Sequence, residues 1–302
     1  MSIVPAHLVR TALALRGPAG EEWAQRLPSL VAACARRWSL QVEPPFPDLS
    51  YNFAAPASRA DGTGLVLKIC FPDREFFTEA DALRLFAGRG AVQLLEVDLD
   101  VGAMLLERIE PGRSLVTIDD EAATSAAASV MCRLWRPVPA GHRFPAVADW
   151  AAGFARLRTR FDGGTGPLPA RLVEEAERLF DDLLASSAPP VLLHGDLHHG
   201  NVLAARREPW LAIDPKGIIG EPAFDTAALL HNPENLLAAP HPGRILARRV
   251  DQLAEQLGFD RTRIRGWGLA QAVLAAYWSL EDVGRVWEQP LLCAQYLGEM
   301  DS

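Results

Sequence analysis

Between positions 191 and 215 three short apolar runs frame two polar turns, and few folds can host such a stretch. Val191-Leu192-Leu193 leads into His194-Gly195-Asp196-Leu197-His198-His199-Gly200-Asn201, Val202-Leu203-Ala204 leads out, and Trp210-Leu211-Ala212-Ile213 runs directly into Asp214-Pro215. Apolar runs this short, bounded by Gly, Asp and Asn, predict strand, polar turn, strand, short loop, strand. Asp196 and Asp214 then lie at strand ends, where a ligand can reach their side chains. Asn201 follows Asp196 by five positions, and Asp214 comes thirteen further on.

That spacing has a chemical meaning. Phosphoryl transfer from ATP needs one carboxylate aimed at the attacking hydroxyl, and an Asn plus a second carboxylate to hold magnesium on the phosphates. The interval from Asp196 to Asn201 equals that of a kinase catalytic loop, with Gly195 where such loops carry Arg. Other assignments compete for the same residues. His194, Asp196, His198 and His199 are all zinc-ligand types, but a zinc site needs further ligands. His7, His142, His231 and His241 are scattered, with no HExxH and no cysteine pair. A plain turn of satisfied polar residues leaves the second Asp unexplained. A kinase fold without turnover would carry the same residues. Phosphoryl transfer accounts for all of them.

A chain of 302 residues is long enough for two lobes with separate cores. The hydrophobic share of 49% and charged share of 23% describe an ordinary globular protein. Cys34, Cys70, Cys132 and Cys293 are widely spaced and read as small apolar residues in a reducing compartment. No basic head and apolar core mark a secretory leader, and the apolar stretch 269–280 is shorter than the ~20 residues of a membrane span. A cytoplasmic protein is expected, with no membrane partner. The net charge of -8 disfavours nucleic acid. It suits a cationic small molecule, although acidity alone also serves solubility.

Along the chain, the first forty residues have helical spacing (Leu8, Ala12 and Leu15, then Trp23, Leu27, Leu30, Val31 and Cys34). Pro44-Pro45-Phe46-Pro47 ends that pattern. Residues 49–55 and 64–70 predict a hairpin turning at Asp61-Gly62-Thr63-Gly64. Its second strand carries Lys68 between Leu67 and Ile69, and an ammonium there needs a partner. Glu79, opening a helix with Ala80 and Leu83 behind it, is the expected partner, and Glu75 is its rival. If Lys68 lay on an edge strand it would need neither. Strands follow at 92–97 and 103–109, and Pro111-Gly112 marks a boundary. The domains are therefore expected at 1–109, a sheet-rich lobe, and 110–302, a mainly helical lobe with the catalytic loop and the acceptor site. Adenine would bond the main chain of Glu107 and Ile109. No GxGxxG precedes these strands, which argues against a eukaryotic-type protein kinase. Helices are expected at 122–135, 149–160, 171–184, 224–230, 245–257 and 267–283. Trp278, Glu281 and Asp282 lie one turn apart on the last of these, and could face a cationic acceptor or simply end the helix in solvent.

The catalytic stretch, together with Gly217, Gly220-Glu221-Pro222-Ala223-Phe224-Asp225, Leu67-Lys68, Glu79-Ala80, Met104-Leu105-Leu106-Glu107-Arg108 and His231-Asn232-Pro233, resembles the aminoglycoside 6-phosphotransferase and hydroxyurea phosphotransferase family over about residues 44–233. Streptomycin 6-kinase is that family's best-known activity. The resemblance implies an α+β, bilobal protein-kinase-like fold, with a β-rich N-terminal lobe and a larger helical C-terminal lobe. It implies transfer of the γ-phosphate of ATP to a hydroxyl of an aminoglycoside, or alternatively of hydroxyurea or another small metabolite alcohol. Asp196 would orient the acceptor, Asn201 and Asp214 would bind Mg2+, and Lys68 with Glu79 would position the phosphates. His194 would brace the loop, and Asp225, in the first turn of the helix that follows, would be a structural residue. Pro-Lys-Gly after Asp214, where protein kinases carry Phe-Gly, fits a small-molecule kinase.

Overall fold

In the computed structural model, residues 4–47 and 49–300 are described. They form two compact units, Met1–Glu110 and Pro111–Ser302. The first opens with helix α1 (Ala6–Arg37), which is broken at Gly17 (φ 59°, ψ -145°). Pro18 follows and disfavours helical geometry at the residue before it, and glycine tolerates the positive φ. Leu8, Ala12, Trp23, Leu27, Val31 and Cys34 form the buried stripe of α1.

Five antiparallel strands follow, β1 (Gln41–Val42), β2 (Phe53–Ser58), β3 (Gly64–Ile69), β4 (Leu94–Asp98) and β5 (Ala103–Glu107), in the order β1-β2-β3-β5-β4. Strand β2 starts later than the residues 49–55 expected for it. The hairpin closes through Arg59 and Thr63, where the Asp61 carboxylate accepts the Thr63 N–H at 2.9 Å. Strand alternation then sorts the side chains. Phe53, Ala55, Leu65, Leu67, Ile69, Ala103 and Leu105 pack with α1 in one core. Lys68, paired in register with Ala54 and Met104, belongs to the other face. Since β3 lies between β2 and β5, Lys68 is on a central strand and not at an edge.

Helix α2 (Arg74–Phe86) is capped by Asp73, whose carboxylate accepts the N–H groups of Glu75 (3.0 Å) and Phe76 (3.3 Å). Glu79 therefore lies in the second turn of this helix and does not open it. The cap is an Asp six residues upstream of Glu79, a signal visible in Asp73-Arg74-Glu75.

In the second unit, β6 (Pro111–Ser114), β8 (Val202–Ala205) and β9 (Trp210–Ala212) form one antiparallel sheet, while β7 (Val191–Leu193) pairs with β10 (Ile218–Gly220). The three predicted strands around the polar turns therefore divide between two small sheets. Pro111-Gly112 lies inside a strand, because a proline without an N–H is tolerated at the first position of an edge strand.

The helices of this unit are α3 (Asp120–Leu134), α4 (Val147–Trp150), α5 (Ala152–Arg160), α6 (Ala170–Ala185), α7 (Ala227–Leu230), α8 (Pro242–Leu257), α9 (Arg261–Val283) and α10 (Glu288–Glu299). The helix expected over 149–160 is two helices, and Pro222–Thr226 before α7 is a 3-10 turn. Helix α10 was not expected; its Leu291, Cys293, Ala294 and Leu297 are buried, although Gln289 and Pro290 hide the pattern at its start. Helix α9 is buried at nearly every position from Ile264 to Tyr277 and packs against α5, α6, α7, α8 and α10. A helix apolar all round belongs in a core, and among the described residues no helix is long and apolar enough to cross a membrane.

Candidate active site

The first unit contributes a buried ion pair. Lys68 Nζ donates to Glu79 Oε1 at 2.5 Å, and both residues are buried. Either charge alone would cost several kcal/mol to bury, so β3 and α2 are coupled through the pair. Glu107 ends β5; its N–H donates to the Gln93 carbonyl (3.0 Å) and its Oε2 accepts the Gln93 N–H (2.9 Å). Ile109 lies two residues beyond the strand and is half-buried.

The second unit contributes the turn after β7. His194 is fully buried and anchors it three ways. Its ring Nε2 lies 2.8 Å from the Ile213 carbonyl, and its Nδ1 accepts the Asp196 N–H at 3.2 Å. A carbonyl only accepts and an N–H only donates, so the ring is the neutral tautomer with its proton on Nε2. Burial favours that form by pushing the imidazole below its ordinary pKa. The His194 carbonyl accepts the Lys216 N–H at 2.8 Å. With both ring nitrogens engaged, His194 cannot serve as a zinc ligand.

Asp225 holds the same turn from below. Its Oδ1 accepts the Gly195 N–H at 2.7 Å, and its Oδ2 accepts the His194 N–H and the Trp135 Nε1–H, both at 3.0 Å. Burial pushes this carboxyl up from its ordinary pKa, while His194 and the N–H donors pull the other way. Gly195 adopts φ 83°, and a Cβ there would come within 3.0 Å of Ile218. A side chain at the place that Arg occupies in kinase catalytic loops would here be crowded and strained by the positive φ.

Asp196, Asn201 and Asp214 are stitched together. The Asn201 side-chain amide donates to the Asp196 carbonyl at 3.0 Å, which leaves Oδ1 as the atom suited to a cation. The Asn201 carbonyl accepts the Ile213 N–H at 2.9 Å, and Asp214 is the next residue. Asp214 is exposed and left-handed (φ 58°), a conformation that Asp tolerates better than most residues. His198 Nδ1 accepts the Gly200 N–H at 3.0 Å.

Trp278, Glu281 and Asp282 lie at the far end of α9. Trp278 meets Trp150 edge to face, with centroids 5.0 Å apart. Glu281 takes a bidentate bond from Arg156 (2.7 and 2.9 Å) and a third from Tyr277 Oη (3.1 Å). The guanidinium holds its carboxyl below the usual range. Glu281 is thus committed to a local cation, and Asp282 is exposed.

Several residues around the site have contacts that the sequence did not signal, although Glu221 belongs to the Gly220-Glu221-Pro222 motif. Trp135 supports Asp225, and Glu221 accepts from Arg263 Nε (2.7 Å) and from the Trp267 indole while almost fully buried. Arg249 reaches toward His199. Their partners are 46 to 90 residues distant for Trp135, Trp267 and Arg249, beyond any local spacing rule.

A family model described as aminoglycoside/hydroxyurea antibiotic resistance kinase matches residues 37–284. A hydroxyurea phosphotransferase of Kitasatospora aureofaciens is 38% identical over 289 residues, covering 92% of this chain and 81% of the relative. Streptomycin 6-kinase of Streptomyces glaucescens is 35% identical over 288 residues, covering 92% and 91%. Among solved structures, a thermostable mutant aminoglycoside phosphotransferase in ternary complex with ADP and hygromycin B aligns with a TM-score of 0.64 at 14% identity, over 89% of this chain and 97% of the other. That likeness speaks to the fold, a small sheet-bearing unit followed by a larger helical one. The chain belongs to the aminoglycoside/hydroxyurea antibiotic resistance kinase family, has its protein-kinase-like α+β fold, and is an ATP-dependent phosphotransferase.

Proposed function

We propose that this protein transfers the γ-phosphate of ATP to a hydroxyl of a cationic aminoglycoside, as a phosphotransferase of the streptomycin 6-kinase type. The observation that carries the assignment is the hydrogen-bonded set Asp196, Asn201 and Ile213, which places Asp214 as the next residue, braced by His194 and Asp225. Identity of 35% to a streptomycin 6-kinase over nearly the whole chain supports the acceptor class. Identity of 38% to a hydroxyurea phosphotransferase supports hydroxyurea as the second candidate acceptor, ahead of other metabolite alcohols.

In this mechanism Asp196 orients the acceptor hydroxyl and takes its proton as the new P–O bond forms and the bond to the ADP oxygen breaks. A carboxylate is a weak base toward an alcohol, so its main work is alignment, and charge placement supplies much of the rest. Lys68, held by Glu79, neutralises phosphate oxygens. Asn201 Oδ1 and the exposed Asp214 carboxylate are hard oxygen ligands of the type magnesium takes when phosphates and water complete its shell. When bound, Mg2+ draws charge from the phosphates. Main-chain groups of Glu107 and Ile109 would hold adenine. Residues 1–109 would thus contribute the nucleotide side, and 110–302 the catalytic turn and acceptor side. The Trp278, Glu281 and Asp282 end of α9 remains the proposed acceptor face, with Arg156 as the cation an acceptor would have to displace at Glu281.

Coupled ADP release with streptomycin, hydroxyurea and a panel of metabolite alcohols, with ATP and Mg2+, tests the assignment. Streptomycin should give the highest kcat/KM. Turnover confined to hydroxyurea would move the assignment to the second candidate, and no turnover with any acceptor would end it.

A further inference from the structure

Arg249 is among the largest fully buried side chains, at 0% exposure, and it lies on α8, outside every motif of the site. Its guanidinium is surrounded by acceptors from separate elements. Nε donates to Asp120 Oδ1 (3.1 Å) and Oδ2 (3.2 Å) at the start of α3, and Nη2 donates to the same carboxylate. Nη1 donates to the carbonyls of Leu229 (2.9 Å), Leu230 (3.4 Å) and Asn232 (2.5 Å) around the end of α7. Nη2 also lies 3.4 Å from His199 Nε2. A guanidinium has no acceptor, so His199 presents its lone pair to Arg249. An apolar side chain of similar volume would fill a core at least as favourably as a buried ion. The charge therefore has a use other than packing.

We propose that Arg249 is a positioning residue for phosphoryl transfer: through His199 it sets the shape of the turn carrying Asp196 and Asn201, and it ties that turn to α3 and to the segment after α7. His199 is the first residue of the 3-10 turn His199–Asn201. Within that turn the Asn201 N–H donates to the His198 carbonyl at 2.9 Å, and the Asn201 amide reaches back to the Asp196 carbonyl. A shift of His199 is thus passed to both ends of the catalytic pair. Asp120, which also accepts from Arg248 Nη2 at 2.6 Å, holds the guanidinium through Nε and Nη2, and a planar five-donor fork is what three carbonyls, a carboxylate and a ring nitrogen require together. Lysine offers three donors on one atom and cannot span them.

The proposal rests on the catalytic role of Asp196, so Asp196→Ala is measured first in the same assay; loss of turnover there secures the ground, and retention would undo the reading of the turn independently of Arg249. The test is a double-mutant cycle of Arg249→Lys and His199→Asn, following kcat, KM for ATP and thermal midpoint. Arg249→Lys should lower kcat roughly 100-fold, the scale of an ångström's misplacement, with KM for ATP little changed. The double variant should be no slower than the slower single one, since both changes cut one path. Asp120→Asn, which weakens the hold on Nε and Nη2 of the guanidinium, should give a smaller loss of kcat in the same pattern and serves as the test if Arg249→Lys does not fold. Losses that multiply in the double variant, or a lowered thermal midpoint with unchanged kcat, would overturn the proposal.

Discussion

Acidification should destabilise this protein through His231, and the size of the effect follows from its surroundings. The residue is buried at the end of α7, its ring edge-on to Trp287 at 5.7 Å. Gln289 Nε2 clamps the chain on either side of Asn232 by donating to the His231 and Pro233 carbonyls, both at 2.8 Å. Burial first, then the charges of His198 and Arg249, lower its pKa to about 4, against a smaller upward pull from Asp196 and the Ala227 backbone. An unfolded imidazole takes its proton near pH 6.5, so from there down to about pH 4 the unfolded chain binds a proton that the folded one refuses. Stability is therefore full above the unfolded value and falls as the pH drops through that window. Between pH 7.5 and 5.0 the loss is about 2 kcal/mol from this residue alone. Urea unfolding at several pH values, followed by tryptophan fluorescence, measures it. His231→Gln should lower stability at every pH through lost packing and flatten the dependence by about 2 kcal/mol between pH 7.5 and 5.0. A variant with the same pH slope as the parent would refute the account. His199, lowered to about 3 mainly by burial and then by Arg249, should contribute a second share in the same direction.

Four further outcomes are expected. Asp196→Ala should lower kcat by roughly 10²–10⁴, the range of a lost general acid–base group, without unfolding the chain. Removing Mg2+ with a chelator should abolish ADP release, and readdition should restore it in the parent but only at far higher concentration in Asp214→Ala. Asp225→Asn should place an amide donor against one of three N–H groups, costing about 1–3 kcal/mol in stability by calorimetry and lowering kcat as the turn loosens. Glu221→Gln should also cost about 1–3 kcal/mol, since it removes the carboxylate charge facing Arg263, whose bonds to the Leu183 and Ser186 carbonyls remain. An unchanged unfolding midpoint would show that this pair contributes nothing to stability.

The candidate catalytic stretch stood out because its polar residues are packed into a short span. Asp196, Asn201 and Asp214 lie within nineteen residues, and the apolar runs beside them did form β7, β8 and β9. Lys68 was conspicuous as a charge in an apolar strand, and its ion pair with Glu79 spans only eleven positions. Boundaries were less readable. Residues 49–52 lack strand pairing although their pattern is β-prone, and α10 begins on Glu288-Gln289-Pro290, which breaks helical periodicity. Glu281 illustrates a different limit. Its spacing from Trp278 is visible, whereas the Arg156 guanidinium that neutralises it comes from 125 residues away.

By itself, the order of residues determined the reaction class and the local elements that carry it, because strand alternation, turn chemistry and motif spacing act over a few residues. Tertiary structure alone decided which pairs of strands became sheets, which tautomer His194 adopts, and which buried groups support the turn. The Asp225 carboxylate reaches the turn from 30 residues away, the Trp135 indole holds that carboxylate from 90, and the Arg249 guanidinium lies against His199 from 50. Only the folded chain makes them neighbours, and a buried polar atom takes its pKa and its bonding from neighbours in space.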